Sequence, residues 1–159
     1  MIRQYLGGTI MICCLLVACS ATHPQKTPKE AKSVLITPQL LKKIVDIEWH
    51  LIRITLDGKP NPMVENSKVT FACSHEGQVT GVASLNRYFG NLKLAENGGI
   101  VWNKTFGMTR MAGPPELMDQ ESLFLDALLK TSRMVLNDSK LELKNKDRSV
   151  ELQFGKIEK

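Results

Sequence analysis

Apolar and polar residues alternate in short runs along most of this chain, and Gly, Pro, Asn and Asp break the runs. "IEWHLIRITL" is rich in β-branched residues, sets Ile47, Trp49 and Leu51 on one side and stops at Asp57-Gly58, which predicts a strand. "GKPNPM" then reads as a Pro-rich loop. "SKVTFACS" and "QVTGVASL" are two strands joined across "HEGQ", with Gly77 at the turn. "YFGNLKLA" and "IVWNKT" form a second hairpin around "ENGG". Three strands close the chain, "SRMVLN", "KLELKN" and "SVELQFGKI", with turns at Asn137-Asp138 and Lys146-Asp147.

Two segments carry the longer helical period instead. "TPQLLKKIV" offers Thr37 as N-cap, a Pro at the first helical position and apolar Leu40, Leu41, Ile44 and Val45, so a short helix opens the ordered region near Thr37. After the loop "FGMTRMAGPP", two prolines start a helix from Pro115 to Lys130. Glu116 and Asp119 lie at its positive end, and Leu117, Phe124, Leu125 and Leu128 form its apolar stripe. An antiparallel sheet with one face to bury needs such a helix against it. The predicted class is α+β: a curved antiparallel sheet or partial, half-cone barrel packed around one main helix.

The N-terminus changes what counts as the folded protein. Arg3 precedes a mostly apolar run from Leu6 to Ala18, too short to span a bilayer, as in a secretory signal. Its end, Leu16-Val17-Ala18-Cys19, resembles the bacterial lipobox. That resemblance implies cleavage between Ala18 and Cys19, a lipid on Cys19 and, with Ser20 next, export to the outer membrane. An ordinary signal with an incidental Cys and an uncleaved anchor are the alternatives. On this reading residues 1–18 are a signal peptide and 19–36 a lipidated tether, with "SATHPQKTPKEAKS" free of large apolar residues. Residues 37–159 form the domain.

Removal of residues 1–18 leaves 141 of the 159 residues, enough for one domain with its own core. It also leaves Cys73 as the one cysteine besides the lipidated Cys19, so no intramolecular disulfide can form. In "KVTFACS" Cys73 takes an inward strand position, as a small buried hydrophobe rather than a reactive thiol. The formal charge of +5 falls to +2 from Thr37 onward, which gives no argument for nucleic acid.

Chemistry-bearing groups are sparse. His23, His50 and His75 do not converge, and no second Cys or His stands at ligand spacing, so no metal or cofactor is expected. No nucleophile elbow, phosphate loop or His-Glu metal motif occurs, and no catalytic residue is assigned. Glu121 is the misplaced charge: it falls between Leu117 and Leu125 on the face that should be buried. A carboxylate there needs a partner, and Arg87 and Arg110 are the candidates, with loop amide hydrogens as the alternative. A general acid or base is the rival role. "SLNRYFG" reads as a strand–turn–strand corner in which Asn86 suits the turn, Gly90 supplies a permissive backbone and Tyr88 or Phe89 faces the core. Arg87 is then either the partner of Glu121 or an exposed contact.

The ordered set of motifs carries a resemblance. A Trp-x-Leu strand, a Phe-bearing strand, "NRYFG", "TRMA" before "E-x-x-F-L-x-x-L", and terminal "L-E-L" and "V-E-L-Q-F" run from Trp49 to Phe154. The set resembles the META-domain, or HslJ-like, family of small bacterial lipoproteins and secreted proteins. The resemblance implies a sheet curled around one helix, and ties to the outer membrane, stress or drug tolerance, motility and virulence, without a defined activity. Family members commonly carry Cys before the Asn of this motif and after its Met-Ala, where this chain has Leu85 and Gly113. Their joint absence implies that Leu85 and Gly113 are neighbours in space. The expected function is a non-enzymatic, outer-membrane-anchored, monomeric lipoprotein facing the periplasm, which binds an envelope protein or supports envelope integrity under stress. A carrier of a small hydrophobic ligand or lipid, and a hydrolase or hydrolase inhibitor built on Glu121 or an exposed loop, are the alternatives.

Overall fold

A computed structural model describes residues 32–103 and 106–156. The expected signal peptide with Ala18, and Cys19, His23 and most of the expected tether, lie outside the described residues. Eleven strands and one long helix follow in order: β1 Ser33–Leu35, β2 Trp49–Leu56, β3 Lys59–Asn61, β4 Lys68–Cys73, β5 Gln78–Ser84, β6 Asn86–Leu94, β7 Ile100–Trp102, β8 Gly107–Met108, α1 Pro115–Lys130, β9 Arg133–Asn137, β10 Lys140–Lys144 and β11 Val150–Lys156. The strands form one antiparallel sheet in the order β1-β9-β10-β11-β2-β4-β5-β6-β7, with β3 beside β2 and β8 beside β6. The fold is therefore α+β, with a curled sheet and one main helix.

The sheet curls far enough for its ends to meet. Gly99 bridges Arg133, the Ile100 N–H donates to the Ser132 carbonyl at 2.8 Å, and the Trp102 indole N–H donates to the Thr131 carbonyl at 2.8 Å. α1 packs inside the curl against β5 and β11. It buries Phe124, Ala127 and Leu128, together with Gln120 and Glu121. A continuous path of ring contacts fills the interior: Phe71–Phe154 at 5.7 Å, Phe154–Phe124 at 6.4 Å, Phe124–Tyr88 at 5.7 Å, Tyr88–Phe106 at 6.1 Å and Phe106–Trp102 at 5.9 Å. Each such pair adds about 0.5–1.5 kcal/mol beyond its area burial. Leu141, Leu143, Leu152 and Met134, all fully buried, complete the packing.

Several expectations need correction. The sheet already includes residues ahead of Thr37: Ser33–Leu35 pairs with Leu136 and its neighbours on β9, and Ile36 is fully buried. The first helix is a 3-10 helix over Pro38–Lys43, and the Thr37 side chain makes no capping bond. Ile44 and Val45 must both turn inward before the chain reverses at Asp46 (φ 59°), and one tight turn suits so short a connector. "GKPNPM" is not all loop. Asp57 (φ 49°) and Gly58 (φ 73°) make a two-residue turn of the primed kind, which pairs Lys59 with Leu56 and leaves Pro60 on an edge strand. The loop after β7 likewise contains the short β8.

The inward alternation of β2 also changes phase. Trp49 is fully buried and Ile47 and Leu51 are half-buried, but Leu51 pairs with Phe154 while Arg53 pairs with Gln153. The extra residue, Ile52, is a bulge, so Ile54 rather than Arg53 turns inward. Ile52 itself stays 47% exposed.

Candidate functional site

Glu121 sits on the buried face of α1, 6% exposed, and both of its oxygens are occupied. The Asn86 backbone N–H donates to Oε2 at 2.8 Å and the Asn86 side-chain amide donates to Oε1 at 3.0 Å. Asn86 Oδ1 in turn accepts from the Thr109 hydroxyl at 2.8 Å and the Met111 N–H at 2.7 Å, and its Nδ2 also reaches the Met111 carbonyl at 3.2 Å. One asparagine thus joins the helix, the start of β6 and the loop before the helix. Only a side chain with both a donor and an acceptor can link a carboxylate to a backbone N–H in this way. Arg87 and Arg110 are exposed and do not pair with Glu121, so the alternative of amide donors is the one realised.

Gln120 works beside it. Its Oε1 accepts from the Val64 N–H at 2.6 Å, and its Nε2 donates to the hydroxyls of Ser67 at 2.9 Å and Ser84 at 2.7 Å. Sequence reasoning overlooked Gln120, although its position next to Glu121 on the apolar face was the available signal. The two residues fasten the 64–67 loop and the β5–β6 corner to α1. Each Glu121 oxygen thus accepts one hydrogen bond from Asn86, and the side chain is almost entirely shielded from solvent.

The corner itself differs from its expected form. Ala83 pairs with Asn86, so the turn is Ser84-Leu85, and Ser84 (φ 64°), not Asn86, takes the left-handed conformation. Asn86 already lies in β6, where residues alternate cleanly. Asn86, Tyr88, Gly90 and Leu92 point inward, while Arg87, Phe89, Asn91 and Lys93 point outward. Gly90 is a mid-strand position beneath the Phe106 ring rather than a turn residue. The Tyr88 hydroxyl donates to the Thr70 carbonyl at 2.8 Å, and burial pushes its pKa upward.

That bond marks a seam where the sheet opens. β4 and β5 pair at Val69–Ala83 and at Ala72–Thr80, with no ladder pair between. The Val82 N–H instead donates to the Thr70 hydroxyl at 3.0 Å. Over the seam lies a groove of about 330 Å³, with Arg87, Phe89, Lys68 and Glu48 among its walls. Glu48 accepts from Lys68 at 3.0 Å and from His50 at 2.9 Å, and these neighbours, Lys68 first, hold its carboxyl below the usual range. Phe89 remains 59% exposed.

Leu85 and Gly113 do meet. A Cβ built on Gly113 would stand 2.7 Å from Leu85 Cδ2, so the small residue makes room for the large one. Cys73 is buried, and desolvation raises its thiol to about 11. At pH 7.5 that shift cuts the thiolate fraction about 100-fold. Alkylation at Cys73, followed by peptide mass spectrometry, is therefore expected to be about 100-fold slower in the folded protein than in urea. His50 and His75 lie apart, on β2 and at the β4–β5 turn, and among the described residues no metal-binding group of His, Cys, Asp and Glu assembles.

A curled antiparallel sheet, one enclosed helix and a helix-to-corner clasp of Glu121 and Asn86 define a small α+β domain. The chain belongs to the META-domain family, whose model matches residues 42–157. Among solved structures it resembles a protein from Burkholderia xenovorans determined by NMR, with 22% identity and a TM-score of 0.63, over 86% of this chain and 98% of that one. It also resembles a DUF4847-family protein from Bacteroides vulgatus, with 13% identity and a TM-score of 0.54, over 74% and 97% of the two chains. At these identities the likeness is one of fold. No curated protein matches the chain.

Proposed function

We propose that this META-domain protein is a lipoprotein, anchored through Cys19 to the periplasmic face of the bacterial outer membrane, with a non-enzymatic role in binding or envelope integrity. Membership of the META family supports an envelope-associated protein. The observation that supports the non-enzymatic reading is the pair of hydrogen bonds from Asn86 that holds the buried Glu121 carboxylate in the corner. The chain of ring contacts through the described interior weighs against the carrier alternative. What the domain offers instead is the outward face of β6.

The segment from Cys19 to the start of β1 at Ser33 reaches at most about 3.3–3.6 Å per residue, so any partner lies near the membrane surface. Multiple acyl chains make such an anchor effectively permanent, since each buried methylene contributes about 0.8 kcal/mol. Metabolic labelling with an alkyne fatty acid tests the anchor. Cys19→Ser is expected to abolish the label and to release the protein from the membrane fraction. Label that persists in Cys19→Ser sinks the lipoprotein reading. In-cell crosslinking with mass spectrometry, comparing wild type and Cys19→Ser, then tests for envelope partners that depend on the anchor.

A further inference from the structure

We propose that the outward row of β6 binds a linear, carboxylate-bearing glycan, with the Phe89 ring as a stacking platform and Arg87 and Lys93 as anion-pairing ends. The proposal rests on the periplasmic placement above, where the cell-wall glycan, with carboxylates on its peptide stems, is the accessible polymer of this chemistry. Phe89 is the most exposed aromatic of the described residues at 59%, yet its ring is not loose. The distal half of the ring lies over Gly107 of β8, where any Cβ would occupy the same space. One surface of the ring is thus supported by backbone and the rest is offered to solvent, an arrangement suited to stacking on a flat apolar surface.

Shape points to an extended occupant. The groove of about 330 Å³ beside Arg87 and Phe89 is followed along β6 by a second of about 300 Å³ lined by Asn91, Lys93, Val101 and Trp102. From Arg87 to Lys93 the strand rises about 20 Å, the length of a few sugar units. Charge points to an anion. The outward positions of β5 and β6 hold Gln78, Thr80, Val82, Arg87, Asn91 and Lys93 and no acid. The acid at the groove margin, Glu48, is held by Lys68 and His50.

Backbone pairing argues for a glycan over an extended peptide. Peptides that add to a sheet use an open strand edge. β6 has none along this row, since β5 pairs with it from Asn86 to Asn91 and β8 and β7 cover its other side at Tyr88–Phe89 and Leu92–Leu94. Recognition must come from side chains alone: a ring, amides and two cations.

Co-sedimentation of the purified full-length protein, in detergent micelles, with purified peptidoglycan sacculi tests this. The wild type is expected to pellet at low salt and to be released as salt rises. Phe89→Ala and the pair Arg87→Glu with Lys93→Glu should each weaken pelleting at least tenfold. All three residues are exposed, so unchanged circular dichroism and melting temperature verify the fold. Gly107→Ala, which displaces the ring without altering charge, should weaken pelleting as well. The proposal is overturned if sacculi fail to pellet the wild type, if the variants pellet equally, or if a poly-glutamate peptide competes better than soluble glycan fragments. Loss of the lipoprotein reading would show in fatty-acid labelling instead, and the pelleting assay does not depend on it.

Discussion

Asn86→Asp is expected to cost about 3–5 kcal/mol of stability, as leaving a buried charge without its partner does. The substitution barely changes shape, so the effect isolates hydrogen-bond polarity. In the native corner the Asn86 amide donates to Glu121 Oε1 at 3.0 Å, and the carboxylate is 6% exposed. Aspartate puts an acceptor where the donor stood and sets two carboxylates against each other in a site that water hardly enters. Its other oxygen can still accept from Thr109 and Met111, but the donation to the Met111 carbonyl is lost. For a domain of this size the loss corresponds to about 10–20 °C in melting temperature.

Urea unfolding of the single variant, of Glu121→Gln and of the double variant measures the coupling. With glutamine on the helix the polarity can reverse. Its amide then donates to the introduced carboxylate, as the Asn86 amide donates to Glu121 in the native chain. The double variant should therefore recover at least about 1.5 kcal/mol over the sum of the singles, within the range for contacting groups. A single-variant loss below about 1 kcal/mol, or strict additivity, would show that the clasp is not a principal support of the fold.

The opposite sign is expected for Leu85→Cys with Gly113→Cys. A Cβ on Gly113 would lie 3.5 Å from Leu85 Cγ, the position close to which a cysteine sulfur would stand. That separation is near what a disulfide needs. The bond would close a loop of about 30 residues and restrict the unfolded chain by about 3–4 kcal/mol. Loss of the Leu85 side chain offsets part of this, so the oxidised double variant should be compared with its own reduced form. Mass spectrometry should show the cross-link after air oxidation, and the melting temperature should fall on reduction. A pair that stays reduced, or one that melts alike in both states, would mean the two segments are not held as described.

Much of the architecture was legible because one face of nearly every strand is buried. Alternation in "KVTFAC" put Cys73 inward with Phe71, "NRYFG" left Tyr88 and Phe89 undecided, and the helix from Pro115 to Lys130 announced itself by its prolines and stripe. Misjudgements fell where tertiary contacts outweigh local pattern. Ser33–Leu35 looks like tether but completes β9, and the bulge at Ile52 follows from register with β11, which no local window reveals. Glu121 was recognisable as a buried charge from its period on the helix. Its partner was not, because Asn86 lies 35 residues away and resembles a turn residue. Charge pairing suggested Arg87 or Arg110, but an arginine here would also have to be desolvated, whereas a neutral amide satisfies the carboxylate at lower cost.

The two faces of β6 have different evolutionary freedom. Inward, Asn86, Tyr88 and Gly90 are fixed by the Glu121 bond, the Thr70 bond and the Phe106 ring, so most replacements there threaten folding itself. Outward, exposed positions such as Arg87 and Asn91 tolerate change within roughly 0.5 kcal/mol. A single seven-letter stretch, "SLNRYFG", can therefore hold the corner constant in a lineage while its displayed letters drift toward a new target.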